Sequence, residues 1–268
     1  MKIQDVMDVS KGVLLVGYGT RKGNLVEVLE SQARRLRCRG WENVGIAYFR
    51  VSSPNIPEAL EAMAEKGVDE IVAIPYYIAE GSLTKELIPQ KMGISGENGI
   101  VTIKGKEITI HMAPAFGVSY SLTNIICDRI ADAGGDLDCG IIVIGHGTRH
   151  TSLSNLQIVK LNADRLRKLG FRHVAYSFNE FCDPPIRDVL SDLEKQGVTK
   201  IVAVPLFIAM GLHLGDEIPE QLGIPSYSSG GKITVNGREI DLYYTRPVED
   251  DPRLLDNIES KARHYLGE

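Results

Sequence analysis

The feature that most constrains this chain is that it is written twice. Residues 12–21, Gly-Val-Leu-Leu-Val-Gly-Tyr-Gly-Thr-Arg, return at 140–149 as Gly-Ile-Ile-Val-Ile-Gly-His-Gly-Thr-Arg. Residues 67–81 return in the same way at 197–211, and both copies share Gly-Val, Ile-Val-Ala, a proline and Ile-Ala. A duplication of this kind implies two copies of one architecture rather than one large fold. At 268 residues the chain has room for two domains near the common size of roughly 100–150 residues, with the boundary expected in the Gly-Gly-Asp-Leu-Asp link. The expected lobes are 1–134 and 135–268.

Each copy opens with a short apolar run bounded by glycine, 13–16 or 141–144, which reads as a buried parallel strand. Helices follow, with Leu25, Val26, Leu29, Ala33 and Leu36 on one face of the first copy. Leu156, Val159, Leu166 and Leu169 repeat that spacing in the second, closed by Gly170. Second strands are expected at 44–49 and 173–178, each leading to Pro54 or Pro184, and third strands at 70–74 and 200–204. Lys104-Gly105 and Asn236-Gly237 predict hairpin turns, because both central residues must reach positive φ. Final helices are expected at 120–133 and 253–265. Strands alternating with helices mean right-handed crossovers, so the fold class is α/β: two tandem doubly wound lobes with mostly parallel sheets.

The two copies disagree where chemistry is expected. The second has His146, Glu180 and His213 where the first has Tyr18, Arg50 and Leu83. Each of the three follows a strand end, and ligands of open parallel sheets bind outside the carboxyl ends of the strands. With strand one between strands two and three, neighbouring strands lie ~4.8 Å apart and the side chains converge within about 10 Å. Two imidazoles and a carboxylate bind a divalent ion and also accept protons. The joint loss of all three from the first copy argues for one working site in a duplicated fold. His111, His150, His173 and His264 lack such a pattern and are read as structural or solvent-exposed.

Other motifs fail on inspection. Gly17-x-Gly19 and Gly145-x-Gly147 suggest a dinucleotide turn, but Lys22 and His150 stand where the third glycine is required. Arg149-His150 suggests a histidine phosphatase, but Thr151 follows where that motif needs glycine. The formal charge of −5 gives no footprint for nucleic acid, and no apolar run approaches the ~20 residues of a membrane span. The four cysteines are scattered without a Cys-x-x-Cys pair, as expected of free thiols in a cytoplasmic protein.

With those residues placed, the chain resembles the class II tetrapyrrole chelatases, in particular the sirohydrochlorin cobaltochelatase and ferrochelatase group. Gly145-His-Gly-Thr-Arg149 is similar to that family's Gly-His-Gly-Ser-Arg turn. Pro205 to His213, with Asp216-Glu-Ile-Pro219, is similar to its third strand, histidine loop and Asp-Ile-Pro helix, and Phe178-Asn-Glu180 to its carboxylate-bearing strand. The resemblance implies a fused pseudo-dimer inserting a divalent metal (cobalt foremost, with nickel and iron as alternatives) into a free-base tetrapyrrole. His146, His213 and Glu180 would then be both catalytic and metal-binding, with the metal as substrate and no permanently bound cofactor. The substrate carboxylates would meet Arg149, Thr148, Arg21, Arg50 and Lys85, and Leu83 and Leu212 would face the macrocycle. The expected partner is the small-molecule tetrapyrrole alone, without nucleic acid or membrane, and the two lobes replace a homodimer within one monomeric chain. The alternative is a tetrapyrrole- or metal-binding carrier or scaffold without turnover.

Overall fold

Glycine-bounded apolar runs become the central strands of two five-stranded sheets. The computed structural model describes residues 10–149 and 154–267, with the side chains of Ser154 and Asn155 left aside. In the first half, β1 (Lys11–Gly17), α1 (Leu25–Cys38), β2 (Val44–Tyr48), α2 (Ile56–Glu65) and β3 (Glu70–Pro75) alternate. A single π-helical turn (Leu83–Leu87) and α3 (Ile88–Met92) follow, then the β4 (Asn98–Ile103) and β5 (Lys106–Met112) hairpin and α4 (Tyr120–Asp132). The second half repeats this with β6 (Gly140–Gly145), α5 (Ser154–Lys168), β7 (His173–Phe178), α6 (Ile186–Lys195) and β8 (Lys200–Pro205). It ends with a π-helical turn (His213–Glu217), α7 (Ile218–Leu222), β9 (Gly230–Val235), β10 (Arg238–Tyr244) and α8 (Pro252–Leu266).

The strand orders are β2-β1-β3-β5-β4 and β7-β6-β8-β10-β9, parallel except for the antiparallel outer strands β4 and β9. Strand one does lie between strands two and three. β1 and β6 are covered on both faces, which is why their residues form continuous apolar runs rather than alternating ones. Both hairpins turn where expected, with Lys104, Gly105, Asn236 and Gly237 all at positive φ. In α1 the buried stripe runs through Leu25, Val28, Leu29, Gln32, Ala33 and Leu36, so Val28 replaces the anticipated Val26. Leu169 lies beyond the end of α5 and is exposed, because the helix stops one residue earlier.

The compact units do not coincide with the sequence copies. One unit holds the residues up to Phe116 together with those from Asp250, and the other runs from Gly117 to Glu249. The division expected at 134/135 therefore follows the repeat but not the packing. α8 buries Leu254, Leu255, Ile258, Ala262 and Leu266 and packs on β3 beside α1, while α4 packs on β8 beside α5. Each sheet is completed by the terminal helix of the other copy. The physical reason is that both helices carry an equivalent apolar stripe, so either one covers an equivalent sheet face. Salt bridges of Arg39 to Asp256 and Glu259, both 2.7 Å, lie along the α1–α8 contact. Each unit has its own core. In the second, Ile142, Ile144, Ile201, Leu214, Ile218 and Leu242 are almost wholly buried, each contributing about 1.5–3 kcal/mol.

Candidate functional site

His146 follows β6, Asn179 and Glu180 follow β7, and His213 lies in the segment after β8, so the strand order β7-β6-β8 brings the three loops to one edge. Gly147 sets the first loop against the second. Its φ is +93°, and a Cβ there would lie 1.7 Å from the Glu180 carbonyl oxygen, so only glycine allows this approach. The contact is continued by Glu180 N–H donating to the His146 carbonyl at 3.1 Å. Thr148 N–H donates to the Cys182 sulfur at 3.4 Å, locking the same two loops one step further out.

The third loop is held by the π-helical turn. Pro219 has no N–H to return to Gly215, and the Gly215 carbonyl accepts Tyr227 N–H instead at 2.7 Å. Ile218 N–H reaches back five residues to the His213 carbonyl. The wide turn keeps residues i and i+4 neighbours on one face, and single π turns are frequent at functional sites. Glu217 thus falls beside His213, with its Oε2 2.6 Å from His213 Nδ1.

The result is a cluster whose three ligand atoms, from His146, Glu180 and His213, all lie within 4.8 Å of one another. His146 Nε2 is 3.5 Å from Glu180 Oε1, and the two imidazole rings meet edge-on with centroids 4.8 Å apart. Metal–nitrogen bonds of ~2.1 Å in a tetrahedral shell place ligand atoms ~3.4 Å apart, so the His146–Glu180 separation already suits a shared ion. All three side chains are partly exposed, leaving coordination positions open toward solvent. His146 Nδ1 lies 3.1 Å from the Gly147 carbonyl, which fixes the proton on Nδ1 and leaves Nε2 as the electron-pair donor.

Behind this shell lie three residues that the sequence reading did not single out. Glu217 Oε2 accepts both His213 Nδ1–H and Asn179 Nδ2–H, the latter at 3.0 Å. Gln221 Nε2 donates to the carbonyl oxygen and the side-chain oxygen of Asn179, at 3.1 and 2.9 Å. The hydrogen bond from Asn179, then that from His213, holds the Glu217 carboxyl below its ordinary range. With Nδ1–H of His213 committed to Glu217, Nε2 is the free nitrogen here too. The four-residue spacing of His213 and Glu217 was the available signal for this pair, but it is informative only once that segment is known to be helical.

The remaining anticipated residues separate into groups. Thr148 and Arg149 share the His146 turn, and the Arg149 guanidinium stacks on exposed Phe181 at 4.4 Å. Leu212 is exposed immediately before His213. In the first unit Arg50 and Tyr18 gather around Phe49, whereas Leu83 rests against its own core. Arg21 and Lys85 are exposed, and neither makes an ion pair among the described residues. The described residues hold one group of three clustered metal-ligating side chains, and it is not in the first unit. His111 pairs with Glu70 and Asn98, His173 meets Gln196, and His264 packs on Tyr265, all consistent with structural roles. His150 lies outside the described residues.

Comparison with known proteins supplies the relationship. A sirohydrochlorin cobaltochelatase of Methanococcoides burtonii is 36% identical over 47% of this chain and 96% of its own length. A "Probable sirohydrochlorin cobaltochelatase" of Halobacterium salinarum is 25% identical over 94% of this chain and 90% of its own. SirB from Bacillus subtilis, solved with Fe3+, superposes with a TM-score of 0.75 over 95% of both chains at 18% identity, a likeness of fold. The CbiX family model matches twice, over residues 12–133 and 140–265, and the chain belongs to the CbiX family.

Proposed function

We propose that this protein is a sirohydrochlorin chelatase, a lyase-type enzyme that inserts a divalent metal, cobalt foremost, into the free-base macrocycle. The observation that carries this reading is the cluster of two imidazoles and one carboxylate at the strand ends of the second unit, in a chain of the CbiX family. The reaction exchanges one divalent ion for two pyrrole N–H protons. It therefore needs groups that hold the ion loosely and take up protons near neutral pH, and imidazole does both. His146 and His213 present their Nε2 atoms to the incoming ion, and Glu180 supplies an oxygen at the distance a shared ion requires. As the ion passes to the macrocycle, the freed imidazoles accept the protons and Glu180 relays them to solvent. Glu217 holds His213 in the tautomer that leaves Nε2 available.

Arg149, Thr148, Arg21, Arg50 and Lys85 are assigned to the carboxylate rim of the substrate, where cations match carboxylates directly. Leu83 and Leu212 are assigned to its flat apolar face. Metal identity is set by geometry and supply, since this donor set also accepts nickel and iron. The two copies serve as the two halves of a homodimer, so the active species is a monomer. No described helix is long and apolar enough to cross a membrane. The four cysteines form no disulfide among the described residues, in keeping with a cytoplasmic setting.

The test is the absorption change of metal-free sirohydrochlorin with cobalt, at substoichiometric protein. Multiple turnovers above the non-enzymatic rate are expected. A fall of about a hundredfold or more is expected in His146→Ala or His213→Ala, the scale for losing a positioned proton acceptor. Tight binding of macrocycle or cobalt without turnover would replace this reading with that of a carrier.

A further inference from the structure

The first unit has not merely lost the donors of the second; it has reversed their charge. At the positions of Asn179, Glu180, Glu217 and Gln221 stand Phe49, Arg50, Leu87 and Lys91. Tyr18 replaces His146, and Tyr77 replaces Phe207, which lies 6.0 Å from the His146 ring in the second unit. An acceptor-rich cation site has become a set of hydrogen-bond donors at the same place in the fold.

Three of these donors, Tyr18, Arg50 and Lys91, are gathered around one ring. Phe49 is 5% exposed because it is covered by Arg50, with Cζ 5.4 Å from the ring centroid, by Lys91, with Nζ 4.8 Å away, and by Tyr18, 6.0 Å between centroids. Both cations are exposed, and neither meets a carboxylate among the described residues. Just past β3, the Tyr77 hydroxyl is buried with no hydrogen-bond partner, close enough to Tyr18 for the two phenols to interact electrostatically. Burial pushes the Tyr77 hydroxyl far above its ordinary range, so it remains an O–H donor near neutral pH. Native proteins pair nearly all such groups, and an orphan of this kind marks a missing acceptor.

We propose that the first unit carries a carboxylate-binding site formed by Tyr18, Arg50, Tyr77 and Lys91, at the position equivalent to the metal cluster of the second unit. A carboxylate supplies two acceptor oxygens. The guanidinium donates to it edge-on through its in-plane N–H groups, the ammonium adds a point charge, and phenol O–H groups donate to the remaining lone pairs. Phe49 keeps the two cationic stems packed and ordered, so little freedom is lost on binding. A divalent metal would be repelled here. The carboxylate chemistry rests on the first unit alone. Its assignment to an acid side chain of the macrocycle rests on the chelatase reading above, the other source being a free polycarboxylate.

Full-length wild type, Arg50→Gln/Lys91→Gln and Tyr77→Phe are titrated with citrate by calorimetry, without metal and at low ionic strength. The same proteins are titrated with metal-free sirohydrochlorin through quenching of its fluorescence. One citrate site is expected in the wild type, weakened at least about tenfold in the double variant. A smaller loss is expected in Tyr77→Phe, whose unchanged thermal midpoint would show that the fold is kept. Macrocycle affinity should fall in parallel. Citrate binding that is absent from the wild type, or unchanged in the double variant, overturns the site. Loss of citrate binding with unaltered macrocycle affinity supports the site but overturns the macrocycle as its occupant. Absence of metal insertion by the wild type, with the citrate site present, would count against the chelatase reading and leave this site standing.

Discussion

Replacing Glu217 with glutamine tests the shortest contact that orients His213, closer than that of Asn179. In the wild type Oε2 sits 2.6 Å from His213 Nδ1 and 3.0 Å from Asn179 Nδ2, so one oxygen fixes both side chains. The amide is nearly isosteric and keeps the helix intact, but its carbonyl is a weaker acceptor. Its NH2 group also competes, because it can turn toward Nδ1 and select the tautomer with the proton on Nε2. A charge-assisted hydrogen bond is roughly twice as strong as a neutral one. Loss of a carboxylate behind a metal-ligating histidine typically costs 10–100-fold in affinity or activity, about 1.4–2.7 kcal/mol. Calorimetric titration of the apo-protein with cobalt, alongside initial rates of insertion into sirohydrochlorin, should both show a loss in that range. The hydrogen bonds from Asn179 and His213 lower the Glu217 pKa, so the carboxylate is fully formed at neutral pH. The sign follows from that depression: the contribution of Glu217 is complete above the ordinary carboxylate pKa of ~4.3 and disappears as pH falls through the lower folded value. Wild-type cobalt affinity and rate in Glu217→Gln at neutral pH would refute the orienting role.

Calorimetry of the wild type should find one cobalt site that vanishes in His146→Ala/His213→Ala; a site that survives there and disappears in Tyr18→Phe would contradict the asymmetry of the two units. Arg149→Ala and Arg21→Ala should raise KM for the macrocycle more than they lower kcat, and added salt should mimic them by screening. Unchanged KM across a salt series would make these arginines ordinary surface charges. Lys261 donates to the carbonyls of Pro114 and Ala115 at 2.7 and 3.0 Å, and burial pushes its amine down to about 8, against a smaller upward effect of Glu80. The folded state then releases this proton before the unfolded state does, so the lysine's effect on stability improves as pH rises from about 8 toward ~10.4. Denaturation midpoints of the wild type should climb relative to Lys261→Met over that window, and parallel profiles would show that Lys261 does not titrate there.

The sequence was most legible where backbone geometry leaves few choices. The buried runs of β1 and β6 admit only central strands, and Asn236-Gly237 admits only a tight turn. The repeat itself pointed to the candidate site, because the three positions at which His146, Glu180 and His213 differ from Tyr18, Arg50 and Leu83 are the ones that cluster in the fold. Glu217, Asn179 and Gln221 escaped that comparison. Their roles depend on a π-helical turn, which each unit makes just before a proline, Pro89 or Pro219. Only the folded chain shows which side chains that turn sets beside the loop after β7.

The sequence by itself determined the α/β class, the two copies, and the strand-end location of the His146–Glu180–His213 cluster in the second copy. Periodicity and residue chemistry act over a few neighbours, and each of these features is local in that sense. Tertiary structure alone decided which helix covers which sheet. The stripes of α4 and α8 are interchangeable as patterns, so neither helix carries a local mark of its sheet; α4 covers β8 and α8 covers β3. It also decided that Arg50, Lys91 and Tyr18 would meet around Phe49, since a ring can gather cations from separate segments only after the chain has closed around it.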